Sequence, residues 1–195
     1  VGLYMSVIFK GKLLPIITLL AGVAVAESIK RQLGMSVTLK WPNDVLIANP
    51  CGSSNCRFLK VAGILAEVLP VEAGEGVVLG LGVNIRGHSF PPELEDVAIS
   101  LEAAVGQPIE RGGLCAEILV QLLNWRASVE MFGSERALSR WRDLSPSSCG
   151  SKVSWEMQGV RYRGVTAGID DSGALLVNCE SGRERIVGGE LTWEF

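Results

Sequence analysis

A single histidine, His88, stands in 195 residues, and no Gly-x-Ser-x-Gly string exists for it to serve, so a hydrolytic triad finds no support. His88 reads as a loop residue. Charge is sparse: Asp, Glu, Lys and Arg make up 20% of the chain against a usual ~25%, while hydrophobic residues reach 48%. Such a chain buries a sizeable core, which excludes global disorder. Positive excess is also missing. Eighteen Lys plus Arg face 21 Asp plus Glu, a net charge of -3, which argues against extended binding to nucleic acid or to an acidic membrane. No apolar run reaches the ~20 residues of a bilayer crossing. There is no phosphate-loop string, and Gly80-Leu81-Gly82-Val83-Asn84-Ile85 lacks the third glycine of a dinucleotide fingerprint and opens no helix. Repeats and low-complexity tracts are absent as well.

Five cysteines, Cys51, Cys56, Cys115, Cys149 and Cys179, form an odd, scattered set in a chain too large to need disulfide staples. Reduced thiols in a cytoplasmic setting are expected. Cys51 and Cys56 have an unusual spacing for zinc and no second ligand pair, so they read as loop residues and no metal ligands are assigned. The 195-residue length suits one full-sized domain with a small appendage. What is plentiful is glycine: 23 residues, above the usual ~7%, and not in linker-like runs. That suggests backbone brought close to something.

Leu13 to Ala26, with Lys10 and Lys12 before it and Ala24-Val25-Ala26 at its end, mimics a secretory signal. A helix from about Ile16 to Leu33 explains it better: Pro15 at the first turn, Glu27 placed to meet Arg31, Lys30 and Arg31 near the end, and Gly34 to stop it. The chain starts at Val1, and Leu3 to Phe9 already reads as a strand in mid-sheet, so the sequence is expected to be incomplete at its N-terminus.

Val37 to Trp41 is a short β-branched strand ending in the turn Pro42-Asn43-Asp44, and Val45 to Ile47 resumes extended structure. A loop over 48–57 follows. Lys60 to Leu69 is apolar on both alternations until Glu67, which predicts a strand covered on both faces. Val77 to Ile85 is the next strand. Gly87 to Asp96 is a proline-containing loop, and Ser100 caps a short helix through Val105. Leu114, Ile118, Leu122, Trp125, Val129 and Phe132 mark a long amphipathic helix, with a shorter one from Glu135 to Arg142. From about Gly150 short alternating strands punctuated by glycine predict a small β-barrel or sandwich.

Three strings carry chemistry. Along Val77 to Ile85 one face is bulky, while Val78, Gly80, Gly82 and Asn84 make the other nearly bare. Bare positions weaken a strand unless a ligand or another backbone lies against them, so this is a pocket floor or a close-packed helix seat. Lys40-Trp41-Pro42-Asn43-Asp44 sets a cation, an aromatic ring and a carboxylate at one strand end and turn; the alternative is a hairpin with a surface lysine. Lys60 opens an apolar strand, where a cation needs an anionic partner or snorkels to solvent.

In this order, Lys40-Trp41-Pro42-Asn43-Asp44-Val45, Lys60-Val61-Ala62-Gly63-Ile64-Leu65 and Gly80-Leu81-Gly82-Val83-Asn84-Ile85 closely resemble the central motifs of biotin protein ligases. Leu3-Tyr4-Met5-Ser6 is similar to the strand before the family's first core helix. Gly168-Ile169-Asp170, Gly173-Ala174-Leu175 and Gly188-Gly189-Glu190 are similar to its C-terminal barrel. The resemblance implies an α+β core, a mixed β-sheet flanked by helices of the class II aminoacyl-tRNA synthetase-like, biotin/lipoate ligase type. That core would span 1–148, with a small SH3-like β-barrel over 149–195.

The implied activity is ligation of biotin to a lysine of a biotin carboxyl carrier protein through a biotinyl-adenylate, with ATP, biotin and Mg2+ as cofactors and a homodimer as a further association. Implied roles follow. Lys60 contacts the biotin carboxylate and the bridging phosphate, Lys40 adds positive charge on the ATP side, and Asp44 serves near the magnesium or the incoming amine. Asn84 holds the nucleotide, with Asn43 beside it in the binding set, and Tyr4, Gly63, Gly80 and Gly82 line the biotin slot. A lipoate or octanoate transferase and a non-catalytic ligase-like module are the rivals. Three departures stand out. The family's Gly- and Arg-rich loop before the strand at Leu3 is absent, which implies an impaired chain. The DNA-binding helix-turn-helix that some members carry further upstream is not in this stretch, and the expected truncation leaves its existence open; the 48–59 loop is longer than the family's usual connection.

Overall fold

The computed structural model describes residues 2–10, 15–49, 58–71, 74–87, 90–157 and 159–194. His88, Cys51, Cys56 and most of the 48–59 loop lie outside the described residues. The elements are β1 (Leu3–Lys10), α1 (Ile17–Leu33), β2 (Thr38–Lys40), β3 (Asp44–Ala48), β4 (Phe58–Val71) and β5 (Gly74–Val83). Then come α2 (Leu101–Val105), α3 (Arg111–Phe132), α4 (Glu135–Leu144), β6 (Cys149–Met157), β7 (Val160–Ile169), β8 (Leu175–Cys179), β9 (Gly182–Ile186) and β10 (Thr192–Glu194).

The first sheet runs β1-β5-β4-β3-β2. The sheet expected to be mixed pairs antiparallel in each strand pair, because β2, β3, β4 and β5 follow one another as neighbours; its parallel part is an isolated bridge between Lys60 and Ala98. Helices cover one face. Small residues, Ala21, Gly22, Ala24 and Ala26, let α1 lie close on the sheet: a Cβ on Gly22 would meet Leu39 at 3.5 Å and Ile64 at 3.7 Å. Gly34 ends α1 in the left-handed region, φ 67°, its N–H donating to Lys30 O at 3.0 Å. Among the described residues no helix is long and apolar enough to cross a membrane.

Because the helices sit on one face, the other stays open. β4, expected to be covered on both sides, leaves Leu65 58% exposed on that open face. Glu27 does not meet Arg31; its carboxylate accepts from Trp125 Nε1 at 3.0 Å and Arg140 Nε at 2.9 Å, tying α1 to α3 and α4. Phe132, placed on the apolar stripe of α3, is exposed because it is the last helical residue before Gly133. Ser100 caps α2 as expected, accepting from Ala103 N at 3.2 Å. Glu110 caps α3, and the Gly113 and Gly112 N–H groups hold its carboxyl below the usual range.

The second sheet runs β10-β6-β7-β8-β9, all antiparallel. Its β7–β8 turn is built around Asp170, whose Oδ1 accepts from Ser172 N at 2.9 Å and Ala174 N at 3.0 Å, while Arg185 Nε reaches Oδ2 at 2.5 Å. Burial pushes the Asp170 carboxyl up, but Arg185, Ser172 and the turn's N–H groups together hold it down to about 2.

Candidate active site

β2 and β3 pair Lys40 with Asp44 across a loop of three residues, Trp41, Pro42 and Asn43, with the Trp41–Pro42 peptide cis. The loop is fastened on two sides. Asn43 Nδ2 donates to Ile64 O at 2.8 Å and Asn43 O accepts from Ile64 N at 3.0 Å, so one residue stitches the loop to β4 twice. Trp41 is 2% exposed and its indole Nε1 donates to Gly173 O at 3.0 Å, in the β7–β8 turn.

Across from β3, the pairing of Val45 with Ala62 and of Leu46 with Lys60 leaves Val61 without a partner, a β-bulge. Val61 and Ala62 are therefore both buried, at 0% and 2%, and the alternation restarts one residue out of phase. Lys60 and Gly63, three apart, consequently share the open face. A Cβ on Gly63 would lie 3.1 Å from Lys60 Cε and 3.2 Å from its Nζ, so the missing side chain is what gives the lysine its path. Lys60 Nζ lies 2.5 Å from Asp44 Oδ1, and Lys40 Nζ lies 3.5 Å from Asp44 Oδ2. Two ammoniums around one carboxylate leave one positive charge for an anion.

The Lys60 main chain is also held. Its N–H donates to Val97 O at 2.8 Å, and its carbonyl accepts from Ile99 N at 3.0 Å and from Asn84 Nδ2 at 3.3 Å. Beside it the register aligns Tyr4 with Gly82 and Gly63, and Ser6 with Gly80 and Leu65. A cavity of about 450 Å³ opens on these positions, lined by Tyr4, Met5, Ser6, Asn43, Lys60, Gly63, Ile64, Leu65, Gly80, Leu81 and Gly82. Its wall is the exposed Tyr4 ring, which a Cβ on Gly82 would meet at 3.6 Å. A trough with a bare floor, an aromatic wall and an ammonium at one end suits an elongated molecule with an acidic terminus.

Of the residues expected at the site, Tyr4, Asn43, Lys60, Gly63, Gly80 and Gly82 line this cavity. Asp44 and Lys40 stand behind Lys60 as a linked ion pair. Asn84, expected on the bare face with Gly80 and Gly82, is outside the lining: β5 ends at Val83, and Asn84 turns its carboxamide to the Lys60 carbonyl. Ser6 and Leu65 were missed although parity with Tyr4 and Gly63 marks them. The bulge and the Trp41–Gly173 bond have no signal in the spacing.

Comparison with known proteins agrees with the geometry. A model of the biotin/lipoate A/B protein ligase family matches residues 2–84, and one of the biotin protein ligase C-terminal domain matches residues 149–191. The bifunctional ligase/repressor BirA of Bacillus spizizenii is 31% identical over 97% of this chain and 58% of the relative. A biotin--[acetyl-CoA-carboxylase] ligase of Mycobacterium tuberculosis is 33% identical over 83% of this chain and 56% of its own. The chain thus spans a little over half the length of these curated relatives. Among solved structures, biotin protein ligase from Aquifex aeolicus in complex with biotin and ATP shares the fold, with a TM-score of 0.80 and 22% identity over 99% of this chain and 78% of that one. With its core strands and its terminal sheet both matched, the chain belongs to the biotin protein ligase family.

Proposed function

We propose that this protein ligates biotin to a lysine of a biotin carboxyl carrier protein at the expense of ATP, through a biotinyl-adenylate. The observation that carries the reading is the Lys60 ammonium at the end of a glycine-floored trough in a chain of this family. In the first step the biotin carboxylate oxygen bonds to the α-phosphorus and pyrophosphate leaves. In the second the carrier amine bonds to the acyl carbon, AMP leaves, and the amine gives up its proton. No protein nucleophile is required, only cations where negative charge gathers and walls that keep water from the anhydride.

Lys60 holds the biotin carboxylate and then the bridging phosphate. Lys40 adds positive charge on the nucleotide side, and Asp44, its carboxylate already beside both ammoniums, receives the incoming amine. Tyr4, Gly63, Gly80 and Gly82 bound the biotin slot, and Asn43 holds its rim. Asn84 acts on the nucleotide side, through the Lys60 backbone it supports.

Magnesium belongs to the nucleotide in this reading. Asp44 is a single carboxylate engaged by two ammoniums, and among the described residues no group of three or more His, Cys, Asp or Glu could hold an ion. The residues do not form a metal site of their own. The catalytic core is assigned to 1–148 and the terminal unit to 149–195. The cytoplasm is the proposed compartment, supported by the free thiols of Cys115, Cys149 and Cys179. A homodimer is part of the same proposal, supported by the exposed Ile8 on β1, outside the cavity lining.

The test is pyrophosphate release that requires both biotin and ATP, compared with lipoate as the acid. Lys60→Ala should lower it by a factor of about 100 or more. Release that ignores biotin, or an unaffected variant, defeats the reading.

A further inference from the structure

We infer that the C-terminal sheet takes part in the reaction as a positioning element, holding the Lys40–Asp44 loop in place through the hydrogen bond from Trp41 to Gly173. This rests on the roles proposed above for Lys40, Asp44 and Lys60. Trp41 sits between Lys40 and Asp44 in the chain, in a loop that has two anchors: Asn43 on β4 and Trp41 on the β7–β8 turn. An indole N–H can only donate, and in a side chain 2% exposed water does not replace a lost partner. If the turn withdraws, the orphaned N–H favours movement of Trp41, and its chain neighbours carry the site's charges.

The receiving carbonyl is fixed from the far side. Gly173 N–H donates to Asp170 O at 3.0 Å, Asp170 N–H donates to Ala174 O at 3.0 Å, and the Asp170 carboxylate gathers the turn's other donors with Arg185 behind them. Gly173 is also pressed onto the start of α1. Its φ is 83°, and a Cβ there would come within 2.8 Å of Leu19 Cδ1 and 3.2 Å of Ile16 Cγ2, so a side chain at this point would lift the turn off both α1 and Trp41. The Arg142 guanidinium adds a weaker link, donating to Ile169 O at 3.5 Å. The terminal unit therefore carries a rigid acceptor whose one described side-chain donor from the core is the residue flanked by the proposed catalytic charges.

A mere adhesive between the two units would change stability alone. Two variants separate the possibilities: Trp41→Phe, which keeps an aromatic ring but removes the N–H with part of the buried indole, and Asp170→Ala, which leaves Trp41 whole, loosens the turn and touches no proposed substrate. Amide hydrogen exchange is measured at Asn43 to Val45 and, as an internal reference, at Met5 to Val7. Both variants should speed exchange at the loop about tenfold and leave β1 within about twofold. In the same proteins kcat for biotin-dependent pyrophosphate release should fall about tenfold with KM for biotin nearly unchanged, as expected when reacting groups are displaced but the slot is intact. Unchanged loop exchange, or a rise equal in β1, overturns the positioning claim. Faster loop exchange with kcat preserved overturns its part in the reaction. If the unaltered chain shows no biotin-dependent release, the kinetic arm is run on the protein with its upstream segment, where the same absence defeats the ligase reading, and the exchange data decide the link between turn and loop in either case.

Discussion

Asp44 holds Lys60 by a contact of 2.5 Å between Oδ1 and Nζ while its other oxygen faces Lys40 at 3.5 Å. The lysine side chain is 43% exposed, so the pair contributes little to stability, at most about 1 kcal/mol. Its effect is on where the charge sits before an anion arrives.

Asp44→Asn should therefore shift unfolding by less than about 1 kcal/mol while freeing both ammoniums for anions. Biotin affinity should hold or tighten, and transfer to the carrier lysine should drop about tenfold because no carboxylate receives the amine. Calorimetric titration and single-turnover transfer check this. Biotin binding weakened more than about threefold contradicts it.

Gly82→Val fills the trough. A Cβ alone would stand 3.6 Å from the Tyr4 ring, an ordinary contact, but the two methyls beyond it occupy cavity space. Valine suits a strand, so the fold should survive. Biotin affinity should fall at least about tenfold, the equivalent of ~1.4 kcal/mol, whereas Gly82→Ala should cost far less. Equal affinities for the two variants by titration would remove Gly82 from the slot.

Asp170 predicts an acid limb. Its carboxyl is lowered from 3.8 to about 2, so its contribution is complete above the ordinary value and disappears as pH falls from about 4 through 2. The side chain is 25% exposed, which reduces the effect to about 1–2 kcal/mol. Asp170→Asn should be less stable than the parent by that amount at pH 6 and converge on it only below about pH 2. Urea unfolding across that range decides. A difference independent of pH would assign the stabilisation to the turn's neutral hydrogen bonds.

Much of the site was legible because β-strands alternate. Gly80 and Gly82 are bare-face positions of one strand, read from parity, whereas Tyr4 came from the family resemblance and the register sets it opposite Gly82. α1 was legible from Lys30, Arg31 and Gly34 at its end, yet its Glu27 went to Trp125 and Arg140, since a helix packed on two others finds partners off its own surface. Asn84 keeps the alternation, between the buried Val83 and Ile85, but its carboxamide is taken up by the Lys60 carbonyl, a bond that alternation does not signal. The coverage of β4 was overestimated because an apolar residue such as Leu65 marks a wall facing a ligand as readily as a core.

The unpaired Val61 has a consequence for anyone counting along β4. Odd and even positions exchange meaning there: before it an even number faces the trough, as at Lys60, and after it an odd one, as at Gly63 and Leu65. Insertion or deletion of one residue between the lysine and the glycine would leave hydrophobicity unaltered and turn the ammonium toward helix α1, silencing the chemistry without touching a single functional side chain.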